Sequence, residues 1–127
     1  MDHRLGLHIY RVSLIVLENG RIINLEGPGE YIIGRLSQNT TRGDRDDSER
    51  AATEIDLSLF QAYETGVSRR HASLTIKSES VLLTDLDSTN GTRLNGNVIP
   101  AMTPQELRHE DIVTLGKLKI QILIIPT

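Results

Sequence analysis

The sequence predicts an all-β fold, a sandwich of two mostly antiparallel sheets. Three observations carry this. Apolar residues come in short alternating runs, as half-buried strands require. Turn residues punctuate the chain at short spacing: Asn19-Gly20, Gly27-Pro28-Gly29, Asn95-Gly96 and Gly116. No stretch shows a convincing helical period. At 127 residues the chain reads as one domain, 10–125, after a lead-in of 1–9. A domain of this size buries about two-thirds of its unfolded surface without staples.

Tyr10–Leu17 (YRVSLIVL) is the first expected strand. Glu18-Asn19-Gly20-Arg21 places Asn-Gly at the centre of a two-residue hairpin turn, and Arg21–Leu25 returns beside it. Gly27-Pro28-Gly29 breaks the chain before a third strand, Tyr31–Ile33, which ends on Gly34-Arg35. Glycine there permits a close backbone approach, and the arginine after it is aimed from a rigid base. Standing alone, the pair would read as a solvated strand end. Leu36–Thr53 is polar, mixes both charge signs and lacks a hydrophobic period, so a mobile loop is expected. Its Arg42-Gly43-Asp44 tripeptide and its Asn39-Thr40-Thr41 sequon are chance matches, since both act only outside the cytoplasm. Glu54–Leu57 resumes a strand. Ser58–Thr65 is a loop whose Phe60 and Tyr63 are expected to pack it.

The chain is organised around Gly66 to Thr92. Ala72–Lys77 (ASLTIK) alternates, Ser78-Glu79-Ser80 is a polar break, and Val81–Asp85 (VLLTD) is aliphatic again. A hairpin returns its flanks to one edge, so Gly66–Arg70 and Asp87–Gly91 are expected as spatial neighbours although about 20 residues separate them. Together they offer hydroxyls (Ser68, Ser88, Thr89), guanidinium groups (Arg69, Arg70), an amide (Asn90) and backbone N–H groups. That inventory suits an oxyanion on a short peptide. Beyond it, Arg93–Ile99 is a tight hairpin about Asn95-Gly96, and Pro100 and Pro104 bound a crossover. Asp111–Leu115 is a strand, Gly116 turns, and Lys117–Ile125 alternates as the last strand.

Composition excludes several functions. Without cysteine, neither a disulfide framework nor a thiolate metal site is available. A net charge of −3 argues against broad nucleic-acid or anionic-membrane binding. One Phe, three Tyr and no Trp remove a stacking platform and leave an aliphatic core. The start lacks a signal-peptide stretch, and Leu14–Leu17 is far too short to span a bilayer. The expectation is a soluble, cytoplasmic protein without cofactor.

Gly34-Arg35, Ser68-Arg69-Arg70-His71 and Ser88-Thr89-Asn90-Gly91-Thr92 resemble, in order and residue type, the motifs of the forkhead-associated (FHA) domain, over roughly Arg11 to Ile125. The resemblance implies a twisted sandwich that binds phosphothreonine peptides through loops at one end, mediating phosphorylation-dependent protein interactions in signalling. On it, Arg35 grips the phosphate with paired donors, Ser68 donates a hydroxyl and Arg69 is a second phosphate contact. Thr89 matches the threonine beside the phosphothreonine, and Asn90 the asparagine that bonds the peptide backbone. Gly34, His71 and Gly91 support the site, His71 by ordering the loops. Arg70 is a solvated charge and Ser88 caps a turn. The 36–53 insertion departs from the family and could carry self-association if phosphorylated. The loop before Ser68 holds Glu64 and Gly66 and no extra base, so it gives no support for an acidic preference.

Three rivals remain at this stage. Ser68, His71 and Asp85 or Asp87 mimic a hydrolase triad, but no Gly-x-Ser-x-Gly elbow is present, and the serine and histidine share one short loop. His3, His8, His71 and His109 lack metal-ligand spacing. A sandwich assembling with partners through a face, independent of phosphate, would not need Arg35 or Ser68, and both are present.

Overall fold

Alternation sets which side chains face inward. In the run 81–85, Val81, Leu83 and Asp85 are buried while Leu82 and Thr84 are half-exposed; in 118–122, Leu118, Ile120 and Ile122 are buried. The structure, a computed structural model, describes residues 10–35, 52–57 and 66–126. Among these are eleven strands and no helix: β1 (Tyr10–Val16), β2 (Arg21–Leu25), β3 (Gly29–Gly34), β4 (Ala52–Asp56), β5 (Ala72–Ile76), β6 (Val81–Asp85), β7 (Thr92–Leu94), β8 (Asn97–Val98), β9 (Gln105–Glu106), β10 (Ile112–Leu115) and β11 (Leu118–Pro126). They form a six-stranded sheet, β2-β1-β11-β10-β7-β8, and a five-stranded sheet, β4-β3-β5-β6-β9. The expected two-sheet sandwich is found.

Between the sheets lies an aliphatic core: Val12, Leu14 and Val16 of β1, Leu74 and Ile76 of β5, Val81 and Leu83 of β6, and Leu115, Leu118, Ile120 and Ile122 of β10 and β11. Each such side chain contributes about 1.5–3 kcal/mol by leaving water. Among the described residues Tyr31 is the one aromatic ring in it, and its hydroxyl is satisfied by donating toward the carbonyls of Glu26 and Gly27, both at 2.8 Å.

The structure corrects two local expectations. The β1–β2 turn is not a two-residue turn. Val16 pairs with Arg21, so four residues, Leu17–Gly20, form the loop. A two-residue type I′ turn needs both central residues left-handed, and of Asn19 and Gly20 only Gly20 (φ 75°) is. The Asn19 side chain instead accepts from the Arg21 N–H at 2.9 Å. Asn95-Gly96, with φ 51° and 91°, does make the two-residue turn between Leu94 and Asn97. Second, β4 begins at Ala52, so the expected insertion to Thr53 overlaps it by two residues. β4 runs parallel to β3, Glu30 facing Ala52 and Gly34 facing Asp56. The chain thus leaves β3 at one end of the sandwich and re-enters β4 at the other. Residues 36–51, with the self-association expectation, and Phe60 and Tyr63 lie outside the described residues.

Pro100 and Pro104 do bound a crossover. It carries the chain from β8 in one sheet to β9 in the other, where Gln105 and Glu106 pair with Leu83 and Leu82. Two residues are too few to show a period, and sequence reading passed over β9.

Candidate functional site

The β5–β6 hairpin returns its flanks to one end of the sandwich, where β3 also ends. Three loops meet there. The Arg35 N–H donates to the Ser68 carbonyl at 3.1 Å, and the His71 N–H to the Ile33 carbonyl at 2.9 Å, so the strand end carrying Gly34-Arg35 is laced to the loop before β5. Gly34 faces the Arg69 carbonyl so closely that a Cβ would overlap it, lying also 2.8 Å from the Ser68 carbonyl oxygen. Glycine is obligatory at that crossing. The Arg35 Nε–H donates to the Val67 carbonyl at 3.0 Å, which orients the guanidinium plane.

The loop before β5 and the loop after β6 are joined by side chains. The Thr89 N–H donates to Ser68 Oγ at 3.0 Å. Asn90 Nδ2 donates to the Gly66 carbonyl at 2.9 Å. Gly66 sits at φ +82°, and a Cβ on it would come within 2.7 Å of Asn90 Nδ2, so a side chain would break this bridge. His71, fully buried, spans both loops: the Ser68 N–H donates to its Nδ1 and its Nε2 meets the Gly91 carbonyl, each at 2.9 Å. Nδ1 is therefore the bare nitrogen and Nε2 carries the hydrogen. Burial lowers the His71 pKa, against smaller opposing effects of the Gly91 carbonyl and Asp85, so the ring is neutral at pH 7.

Asp85, the last residue of β6, is the support that sequence reading missed. It is buried, and its carboxylate accepts from Ser88 Oγ and Thr92 Oγ1 at 2.6 Å and from the Ser88 N–H at 3.2 Å. Burial raises its pKa, but these three donors and nearby His71 outweigh that and leave it lowered. Ser88 Oγ in turn accepts from the Gly91 N–H at 3.0 Å, closing the turn that the sequence predicts. The signal was available: an aspartate at an inward β6 position has hydroxyl donors at i+3 and i+7, Ser88 and Thr92, that can satisfy a buried carboxylate.

Arg35, Ser68, Arg69, Thr89 and Asn90 come together at one end, with Arg69, Thr89 and Asn90 exposed. Gly34, His71 and Gly91 form the lacing beneath them. Arg70 is exposed, as a solvated charge should be, and its guanidinium lies 3.8 Å from Glu54 on β4. The hydrolase triad has no geometry to support it, because both His71 nitrogens face backbone groups and neither faces the Ser68 hydroxyl. Among the described residues, no group of three or more His, Cys, Asp or Glu is arranged to hold a metal.

The two-sheet sandwich with a basic, hydroxyl-rich loop cluster at one end defines a class of β-sandwich interaction modules. A family model described as the FHA domain matches residues 31–116, and the chain belongs to that family. It is similar to pre-mRNA leakage protein 1 of Saccharomyces cerevisiae, 34% identical over 98 residues that cover 74% of this chain and 46% of the relative. The chain thus spans about half the length of that relative. A structure from work on phosphothreonine-dependent FHA domain interactions is 29% identical, with TM-score 0.65, covering 92% of this chain and 99% of its own. The FHA domain of the CT664 protein from Chlamydia trachomatis is 25% identical, with TM-score 0.63, covering 91% and 96%.

Proposed function

We propose that the chain is a phosphothreonine-peptide-binding module and not an enzyme. The observation that carries this is at Ser68. Its oxygen accepts the Thr89 N–H, which leaves the hydroxyl hydrogen to donate to a ligand. Its carbonyl holds the Arg35 backbone, and the Arg35 Nε–H is set on the carbonyl of the adjacent Val67. A phosphate dianion takes up such donors through several oxygens at once. Arg35 supplies the oriented fork, Ser68 the hydroxyl, Arg69 a second cation and Asn90 an amide for the peptide backbone. Support also comes from the similar structure tied to phosphothreonine-dependent FHA interactions.

A second reading, assembly independent of phosphate, draws on the relative named for pre-mRNA leakage. One titration separates the two. A threonine peptide selected from a phosphopeptide library is measured with and without its phosphate. Loss of binding on dephosphorylation supports phosphate recognition; equal binding of both forms overturns it and leaves assembly.

A further inference from the structure

We propose that the outer face of the six-stranded sheet is a self-association surface, occupied by a second copy of this chain in an antiparallel two-fold dimer. Of the five large apolar side chains most exposed among the described residues, four lie on this face: Leu17 (42%), Ile22 (59%), Val98 (62%) and Ile125 (46%). The fifth, Met102, is in the crossover between the sheets. Register fixes the face. Val12, Leu14 and Val16 of β1 point into the core, so Arg11, Ser13 and Ile15 point out, and Leu17 after them. Across the ladder Ile22 stands beside Ile15, and Ile125 beside Arg11. Val98 stands beside Arg93, which pairs with Thr114 next to Lys119. The outer face of the five-stranded sheet has none of the five; its Ile32 is covered, with Glu54 beside it.

An apolar patch rimmed by polar groups marks an interface, and this one is complementary to itself. Ile15 and Ile22, side by side, form a ridge. Two residues along the strands, Ser13 and Asn24 form a trough, closed by the Ser13 hydroxyl donating to Asn24 Oδ1 at 2.7 Å, with Ser13 only 9% exposed. A two-fold axis across the strands at the level of Leu14 sets the ridge of each copy into the trough of the other. It also brings Leu123 over Gln121 and lays the Lys119 stem along Ile125. The same axis carries Arg11 of each copy over Leu17 of the other, beside Glu18. Among the described residues no hydrogen bond or ion pair engages the side chain of Arg11 or Glu18, so the two can pair across the axis. The face measures roughly 25 Å across the strands and 20 Å along them. That footprint of about 500 Å², increased by side-chain relief, approaches the roughly 800 Å² per partner of a stable interface. Because the axis reverses the strands, the two phosphate-binding ends point apart and both stay open.

The experiment is sedimentation velocity of the full chain over a wide range of concentration, with a thermal melt of each variant to show that it folds. The natural chain should show a reversible monomer–dimer equilibrium. Ile22→Asp should weaken dimerisation by about ten-fold or more, since it desolvates a carboxylate in the interface. Arg11→Glu and Glu18→Arg should each weaken it roughly five- to ten-fold, because the pair occurs twice and reversal makes it repulsive. The double variant should recover the natural value. A chain monomeric at every concentration overturns the inference and leaves the face to another protein; a dimer untouched by Ile22→Asp overturns it as well. A double variant no better than the single ones overturns the antiparallel arrangement. The surface lies apart from the phosphate site, so the Ile22→Asp monomer should bind a phosphothreonine peptide as the natural chain does. Failure of both proteins to bind that peptide would count against the phosphopeptide reading and leave the dimer standing.

Discussion

His71 and Gly91 are held together by a bond from the imidazole Nε2–H to the glycine carbonyl, 2.9 Å long. The opposite ring nitrogen accepts from the Ser68 N–H, so one neutral side chain in the interior ties both binding loops. Protonating Nδ1 would set two N–H groups against each other across 2.9 Å.

The pH dependence follows. The folded His71 pKa lies below its ordinary value of 6.5, so the unfolded chain takes up the proton first. This contribution to stability is complete above about pH 6.5 and is lost as pH falls from there toward the folded value. Urea unfolding between pH 7.5 and 4.5 should show a midpoint that declines below 6.5, and His71→Gln should flatten that early decline. An identical profile in the variant would remove His71 as its source. Asp85, with a folded pKa lowered from 3.8, adds stability above that pH that is lost in stronger acid.

His71→Ala removes two part-buried hydrogen bonds and leaves the Ser68 N–H and Gly91 carbonyl to find other partners. A loss of about 2–4 kcal/mol is expected, with looser loops. An unchanged melting temperature together with abolished binding would instead make His71 a ligand contact.

Arg35→Ala should weaken phosphopeptide binding by roughly ten- to a hundred-fold, since charge-assisted hydrogen bonds are worth about 1.5–3 kcal/mol each. The fold should persist, as the core does not include this side chain. Calorimetry beside a thermal melt reads both quantities; natural-level affinity in the variant would take Arg35 out of the site.

Gly34→Ala should be among the most damaging single-methyl changes in the chain. The added carbon meets the Arg69 and Ser68 carbonyls, backbone atoms that cannot rotate away. Overpacking typically costs about 1–3 kcal/mol, and here it should also displace Arg69 and Ser68 and so reduce binding. Unaltered stability and affinity would mean that the loop gives way at no cost.

Phosphothreonine and phosphoserine differ by one methyl, worth about 0.8 kcal/mol on burial and 1–3 kcal/mol in a fitted pocket. Paired peptides should differ in affinity by several-fold to a hundred-fold in favour of threonine. Equal affinities would mean that no pocket encloses the methyl.

What the sequence by itself determined was local. Turn residues and apolar content marked β2 and β6 to the residue, and alternation marked β5 to within one residue at its end, because side chains on a strand face opposite sides at every step and one side must be apolar. Asn95-Gly96 marked its turn because that pair tolerates two left-handed residues. The β5–β6 hairpin implied that Ser68 and Thr89 meet, since an antiparallel pair returns its flanks to one edge. Tertiary structure decided the rest. The parallel pairing of β3 with β4 depends on which end of the sandwich the chain re-enters, and no periodicity records that. Asp85 became the floor of the Ser88–Thr92 loop because its inward position excludes water, which made the hydroxyls of Ser88 and Thr92 its solvent. Gly116 reached Gly91 because β7 pairs with β10 inside the six-stranded sheet, Leu115 facing Thr92 and the Gly116 N–H extending the ladder to the Gly91 carbonyl, a pairing across a separation in sequence that no local pattern spans.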